Sequence, residues 1–159
     1  MHYLSTRNNQ LKESFLNILF RGLSKDGGLF LPSEWPTISL KNLQGKSYQE
    51  VAHSIIYPYI QDDIPSSDLQ LIINTAYQSF DHKKIAPLLN IDQNKYILEL
   101  FYGPTFAFKD YALQFLGSLF SYLLNQSKKK ITVLGATSGD TGSAAINAFK
   151  GKNDIEVFI

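Results

Sequence analysis

A chain of 159 residues, 44% of them hydrophobic, is long enough to bury a core and corresponds to one domain or to one domain with an appendage. Fifteen basic residues stand against fourteen acidic ones, a formal charge of +1, so no long-range field points to nucleic acid or to an anionic membrane as partner. The absence of cysteine excludes a disulfide framework, a thiolate zinc site and a cysteine nucleophile, and His2, His53 and His82 share no ligand spacing, so no metal site is expected.

The opening Met1 to Arg7 has no basic flank followed by an apolar run, so it reads as no secretory signal. The longest apolar stretch, Tyr111 to Leu124, is interrupted by Gln114, Gly117, Ser118 and Ser121 and is too short for a bilayer. A soluble, cytoplasmic protein is expected. Phe15, Ile18 and Leu19 lie at helical spacing, with Ser14 as a cap and Gly22 as a stop. The turn signals Lys25-Asp26-Gly27-Gly28 lead into Leu29 to Pro32, a brief extended piece. Ser47 and Glu50 form a capping-box pattern ahead of Tyr48, Val51, Ala52, Ile55 and Tyr59 on one helical face, with Pro58 set to kink or end that helix. After Pro65-Ser66-Ser67, the residues Leu69, Ile72, Ile73, Ala76, Tyr77 and Phe80 make a single apolar stripe. Residues 1–90 therefore read as a small, mainly helical unit.

Beyond Asp92-Gln93-Asn94 the pattern changes, because Lys95 to Tyr102 reads as a strand running into a tight loop at Gly103-Pro104. From Asp110 to Asn125 the polar positions Asp110, Gln114, Ser118, Ser121 and Asn125 leave apolar residues around the rest of the cylinder, which predicts a helix buried on most sides. Lys128-Lys129-Lys130 then complements the helix dipole. Ile131 to Leu134, the loop Gly135 to Gly142, a helix over Thr141 to Lys150 and the apolar run Ile155 to Ile159 make a βαβ unit with parallel strands and a right-handed crossover. Residues 91–159 thus read as the first part of an α/β domain whose open parallel sheet is incomplete, and the domain is expected to continue past Ile159.

Two segments carry chemistry. The loop Gly135-Ala136-Thr137-Ser138-Gly139-Asp140-Thr141-Gly142 joins a strand to a helix, a geometry that points backbone N–H groups into a crevice and binds anions. Phosphate, carboxylate and pyrophosphate all suit it; a capped helix start without a ligand, with Asp140 or Thr141 as N-cap, suits it equally. No lysine follows its glycines, which argues against a nucleoside triphosphatase, and glycines at 135, 139 and 142 fit a dinucleotide loop poorly. The second segment, Phe101 to Tyr111, sets Lys109 among five aromatic side chains just before a mostly buried helix. Desolvation by Phe106 and Phe108 and the positive end of the helix would both favour the neutral amine that Schiff-base chemistry needs. Asp110 opposes this if it turns toward the ammonium, and otherwise caps the helix. A plain exposed lysine at a helix start is the alternative.

Taken together, the segments Tyr3 to Arg7, Gly22 to Pro32, Leu98 to Asp110 and Gly135 to Gly142 resemble the threonine synthase family, in order and in separation, over nearly the whole chain. The resemblance implies the tryptophan-synthase-β-like fold, with pyridoxal 5'-phosphate (PLP) between two open α/β domains, and the conversion of O-phosphohomoserine and water to threonine and phosphate. It implies that Lys109 is the catalytic lysine, holding the cofactor as a Schiff base and, once released by substrate, shuttling protons. It further implies that Thr137, Ser138, Gly139, Thr141 and Gly142 receive the substrate α-carboxylate and that Asp140 stands beside the pyridine hydroxyl. The family's glycine-rich loop for the cofactor phosphate finds no counterpart before Ile159, so a chain of this length is expected to bind PLP weakly and to have little activity alone. The competing readings are an inert remnant or interaction module and a nucleotide-binding oxidoreductase. Oligomeric state is not legible.

Overall fold

The computed structural model describes all of residues 1–159. They form two compact units, residues 1–46 with 50–70 and residues 47–49 with 71–159.

In the first unit, β1 (Tyr3–Ser5) lies between β2 (Lys12–Glu13) and β3 (Phe30–Pro32), antiparallel to both, with Tyr3 opposite Pro32 and Ser5 opposite Phe30. The sequence pattern gives β3 but not β1 or β2, whose three and two residues are too short for a period-two signal. Helix α1 (Phe15–Leu19) begins as expected at Ser14, whose hydroxyl accepts from the Asn17 N–H at 3.3 Å. Gly22, at φ +69°, donates back to the Ile18 carbonyl at 3.0 Å and closes the turn after it.

The Asp26 turn ties this sheet together. Its carboxylate accepts from the Ser5 hydroxyl at 2.8 Å and from the Gly28 N–H at 2.9 Å, and its carbonyl accepts from the Arg7 guanidinium at 3.1 Å. These bonds, the Gly28 N–H first and Ser5 next, hold the Asp26 carboxyl below its ordinary value of 3.8. A Cβ on Gly28 would overlap the Ser5 hydroxyl, so the absence of a side chain there lets the turn sit on the strand. A short 3-10 helix covers Leu40–Leu43.

Helix α2 (Tyr48–Ile60) carries Pro58 in its last turn, so the proline marks the approach of the helix end. Of the apolar face predicted for α2, Ile55 is an exception at 39% exposed. Helix α3 (Ser66–Tyr77) ends three residues before Phe80, yet the whole predicted stripe, Leu69, Ile72, Ile73, Ala76, Tyr77 and Phe80, is buried. Tyr3, Ile60, Ile64 and Leu69 are the buried apolar residues of the first unit. Tyr3 donates to the Tyr59 carbonyl at 2.9 Å, and burial pushes its hydroxyl up to about 12.

In the second unit, β4 (Leu88–Asp92) and β5 (Lys95–Leu98) form an antiparallel hairpin with a bulge between Asn90 and Asp92 and Asn94 at φ +59°. The strand predicted over Lys95 to Tyr102 stops at Leu98, and β4, which lacks a β-branched run, is not apparent from the sequence. Next come α4 (Asp110–Ser127), β6 (Ile131–Leu134), α5 (Asp140–Phe149) and β7 (Ile155–Phe158). Strands β6 and β7 pair in parallel, from Ile131 opposite Ile155 to Leu134 opposite Phe158, so the predicted βαβ unit and its α/β class are present.

The core of this unit gathers Leu124, Ala145, Phe149 and Ile155, with Leu113, Phe120 and Val133 packed against it. Helices α4 and α5 meet at Gly117, where a Cβ would stand 2.5 Å from the Ala148 carbonyl oxygen. The polar positions of α4 are not a continuous wet stripe: Asp110 is 0% and Ser118 9% exposed, and no buried side-chain polar atom lacks a partner. No helix is long and apolar enough to cross a membrane.

Two outcomes follow for the Asp26 turn. Gly28→Ala should cost about 1–3 kcal/mol in urea denaturation, because the added methyl must displace Ser5. Because the Asp26 carboxyl is depressed by folding, its contribution is complete above the ordinary carboxylate value and is lost as pH falls through the folded one. Asp26→Asn should therefore lower the urea midpoint at neutral pH and flatten its acid fall; an acid limb identical to that of the parent chain would contradict this.

Candidate active site

Lys109 occupies the N-cap position of α4, with φ −65° and ψ −19° and no side-chain capping bond of its own. The next residue does the anchoring. Asp110, completely buried, turns its carboxylate back onto the preceding loop, where it accepts from the Thr105 N–H and from the Thr105 hydroxyl, each at 2.8 Å. This corrects both orientations expected from the sequence: the carboxylate neither turns to the Lys109 ammonium nor caps α4, of which Asp110 is the first residue, but accepts from the loop. Gly103 lies directly on this carboxylate, since a Cβ there would be 2.5 Å from Asp110 Cβ. Phe106 donates to the Gly103 carbonyl at 3.1 Å and Asp110 to the Ala107 carbonyl at 3.0 Å, so the segment from 103 to 110 is a run of linked turns.

Within it Phe106 adopts a left-handed conformation, φ +62°, and its ring is 76% exposed. This corrects the expectation that Phe106 and Phe108 wall the lysine from both sides. Only Phe108 contacts the amine, with Lys109 Nζ 4.3 Å from its ring centroid, and Phe108 itself is 58% exposed. A cation over an aromatic face is stabilised by the ring quadrupole.

Tyr111 fixes the other side of this first turn. Its hydroxyl donates to the Ile85 carbonyl at 2.7 Å, and its own carbonyl accepts from the Tyr77 hydroxyl at 3.0 Å. The ring of Phe80 meets Tyr111 edge-on at 4.8 Å, and Tyr48 meets Tyr77 in the same way at 4.9 Å. Burial, and then the neighbouring Tyr48, pushes the Tyr111 hydroxyl up to about 12, so it remains a donor through the neutral range.

In the glycine loop, Gly139 at φ +138° is the N-cap of α5 and offers no side-chain cap. Thr137 takes that part: its hydroxyl oxygen accepts from the Gly139 N–H at 3.2 Å and from the Gly142 N–H at 3.0 Å. The predicted caps, Asp140 and Thr141, are corrected to the first two helical positions. The carbonyl of Gly139 accepts from the Ser143 N–H at 2.9 Å. First-turn N–H groups have no intrahelical partner, and Thr137 does not engage those of Asp140 and Thr141. Gly142 is buried under Ile159, where a Cβ would come within 2.8 Å of Cγ2. Ser138, Asp140 and Thr141 are exposed.

A cavity of about 500 Å³ brings the two segments together, with Lys109, Phe108, Tyr111, Tyr48, Leu100 and Thr141 on its wall. Of the residues singled out from the sequence, Lys109 and Thr141 line it. Thr137, Ser138, Gly139, Asp140 and Gly142 belong to the same loop as Thr141 without lining the cavity. Tyr48, Ala86, Leu100 and Tyr111 are lining residues that pattern reading did not single out. For Tyr48 the only signal is its place at the head of the α2 stripe, and for Tyr111 its adjacency to the lysine segment.

A family model described as threonine synthase N terminus matches residues 2–77. Threonine synthase of Saccharomyces cerevisiae is 45% identical over 99% of this chain, which covers 34% of that protein; for the Schizosaccharomyces pombe threonine synthase the values are 43%, 99% and 33%. The crystal structure of PLP-bound threonine synthase from Brucella melitensis matches with a TM-score of 0.94 at 44% identity, over 100% of this chain and 35% of that one. Threonine synthase from Escherichia coli matches with a TM-score of 0.83 at 31% identity, over 99% of this chain and 36% of that one. The chain thus spans about a third of the length of the curated relatives it matches. Along its whole length, in sequence and in backbone, the chain is similar to the N-terminal third of threonine synthases, and its lysine turn and glycine loop open on one cavity.

Proposed function

We propose that this chain carries the lysine-bearing part of a threonine synthase active site, in which Lys109 holds pyridoxal 5'-phosphate covalently and O-phosphohomoserine and water are converted to threonine and phosphate. The carrying observation is the cavity shared by Lys109 and Thr141. Its volume of about 500 Å³ lies within the range of small-molecule sites, and its mostly apolar wall suits a flat heteroaromatic ring. The PLP in the Brucella melitensis relative supports the same reading.

When bound, PLP supplies an electron sink for charge developing on the substrate carbon next to nitrogen. The remaining work falls to side chains and backbone. Lys109, partly buried, presents its amine beside the Phe108 face and, when free of the cofactor, accepts or returns a proton at Nζ. Thr137 locks the loop by taking two of its N–H groups, which leaves those of Asp140 and Thr141 to meet the substrate α-carboxylate at the positive end of α5. Ser138 and Thr141 add hydroxyl donors, Gly139 leaves open space for a close approach while Gly142 makes room for Thr137 and Ile159, and Asp140 would meet the pyridine hydroxyl. The substrate is a small molecule, and a cytoplasmic location is part of the same reading.

Adding PLP to the chain should produce a long-wavelength absorbance that borohydride bleaches while fixing the pyridoxyl group on Lys109, and Lys109→Ala should abolish both the absorbance and the labelling. Equal absorbance and equal labelling in the variant would remove Lys109 from the reaction. Thr137→Val should speed amide hydrogen exchange at Gly139 and Gly142 by about tenfold, the effect of losing a hydrogen bond worth about 1.4 kcal/mol, while Thr137→Ser should not. Unchanged exchange in the valine variant would show that the hydroxyl does not hold the loop.

A further inference from the structure

Two bulky residues of the second unit adopt left-handed backbone, Ile85 at φ +60° and Phe106 at φ +62°. For a β-branched or aromatic side chain such a conformation is strained, and it persists only where the surroundings over-determine it. Both strained turns are held by consecutive residues at the start of α4. Tyr111 grips the Ile85 carbonyl through its hydroxyl, and Asp110 grips Thr105, the residue before Phe106, through both carboxylate oxygens. Between Phe106 and α4, Phe108 and Lys109 line the cavity, and Ala86, next to Ile85, lines it too.

The Asp110 arrangement is specific to a carboxylate. It must accept one N–H and one O–H at once, each at 2.8 Å, in a place with no exposure and with Gly103 lying against its Cβ. Pinning Asp110 inward also sets the rotation of the first turn of α4, because successive helical residues are separated by a fixed angle. The directions of the flanking Lys109 and Tyr111 follow from it.

We propose that Asp110 is a positioning residue for Lys109: by holding the Gly103–Ala107 turn in its left-handed form, its buried carboxylate aims the lysine amine into the cavity. This rests on the reading of Lys109 as the cofactor lysine, so the test uses one readout that involves the cofactor and one that does not. The first is the share of PLP trapped by borohydride on Lys109 among all lysines of the full chain. The second is the rate of acetylation of Lys109 by acetic anhydride, measured by peptide mass spectrometry relative to the exposed Lys95 of the β4–β5 hairpin.

Asp110→Ala should reduce PLP capture at Lys109 by about tenfold while raising its relative acetylation by about threefold, because the amine leaves the cavity wall for solvent. Thr105→Val, which removes only the hydroxyl partner, should move both readouts in the same directions by a smaller factor. Asp110→Asn keeps an acceptor for the Thr105 N–H but replaces the acceptor of the Thr105 hydroxyl by a donor, and should move both readouts by a factor similar to that of Thr105→Val. In a Phe106→Gly background, where left-handed backbone costs nothing, Asp110→Ala should lose most of its effect. Parent values of both readouts in Asp110→Ala and in Thr105→Val would overturn the proposal. So would a uniform rise in acetylation at every lysine in both variants, since that reports general loosening and no aiming. A parent chain that traps PLP on no particular lysine overturns the cofactor reading instead, and the positioning of Lys109 then stands or falls on the acetylation ratio alone.

Discussion

A single buried carboxylate organises the start of α4. Moving a charge out of water is costly unless hydrogen bonds replace the solvent, and Asp110 has both of its oxygens engaged by one residue, Thr105. Such a group is poorly tolerant of partial loss, because removing one partner leaves the other exposed to the full desolvation penalty. The interaction also spans only five residues of chain, so it forms with little loop-closure cost and organises the Gly103–Asp110 segment locally. The left-handed residue Phe106 directly follows its partner Thr105, and on the proposal made above the placement of Lys109 depends on the same bonds.

The second half of the site is organised by a neutral hydroxyl. Thr137 closes the glycine loop through a hydroxyl, and the one acidic residue in the first turn of α5, Asp140, makes no capping bond. Had Asp140 or Thr141 capped the helix, the N–H groups that the loop offers would have been spent internally. The two segments are therefore held differently: one by a buried carboxylate and the other by a neutral hydroxyl.

Much of this architecture is visible in the residue pattern, for reasons that can be stated residue by residue. The α3 stripe from Leu69 to Phe80 is legible because a helix of this kind buries one face at a constant spacing, and the βαβ order from Ile131 onward is legible because strand, glycine loop and helix follow each other without interruption. Strands β1, β2 and β4 are not, since short antiparallel pieces are defined by partners distant in sequence, as Tyr3 is by Pro32. At the site, the lysine segment and the glycine loop stand out by composition, whereas the inward turn of Asp110, the outward ring of Phe106 and the presence of Tyr48 on the cavity wall depend on backbone conformation and packing that no spacing encodes. Family resemblance supplies the chemistry that neither composition nor spacing could.

The close approach of Gly117 to Ala148 gives the two halves of the site a common mechanical reference. Lys109 lies just ahead of α4, and the glycine loop just ahead of α5, so each chemical group sits at the far end of a rod whose point of contact with the other rod is a missing side chain. From Ala148 back to Asp140 the rod is about 12 Å long at 1.5 Å per residue, enough for a small tilt at the crossing to become a displacement of the loop comparable to a hydrogen-bond length. The gap between amine and glycine loop is thus a dimension gauged remotely, by how nearly two backbones can touch.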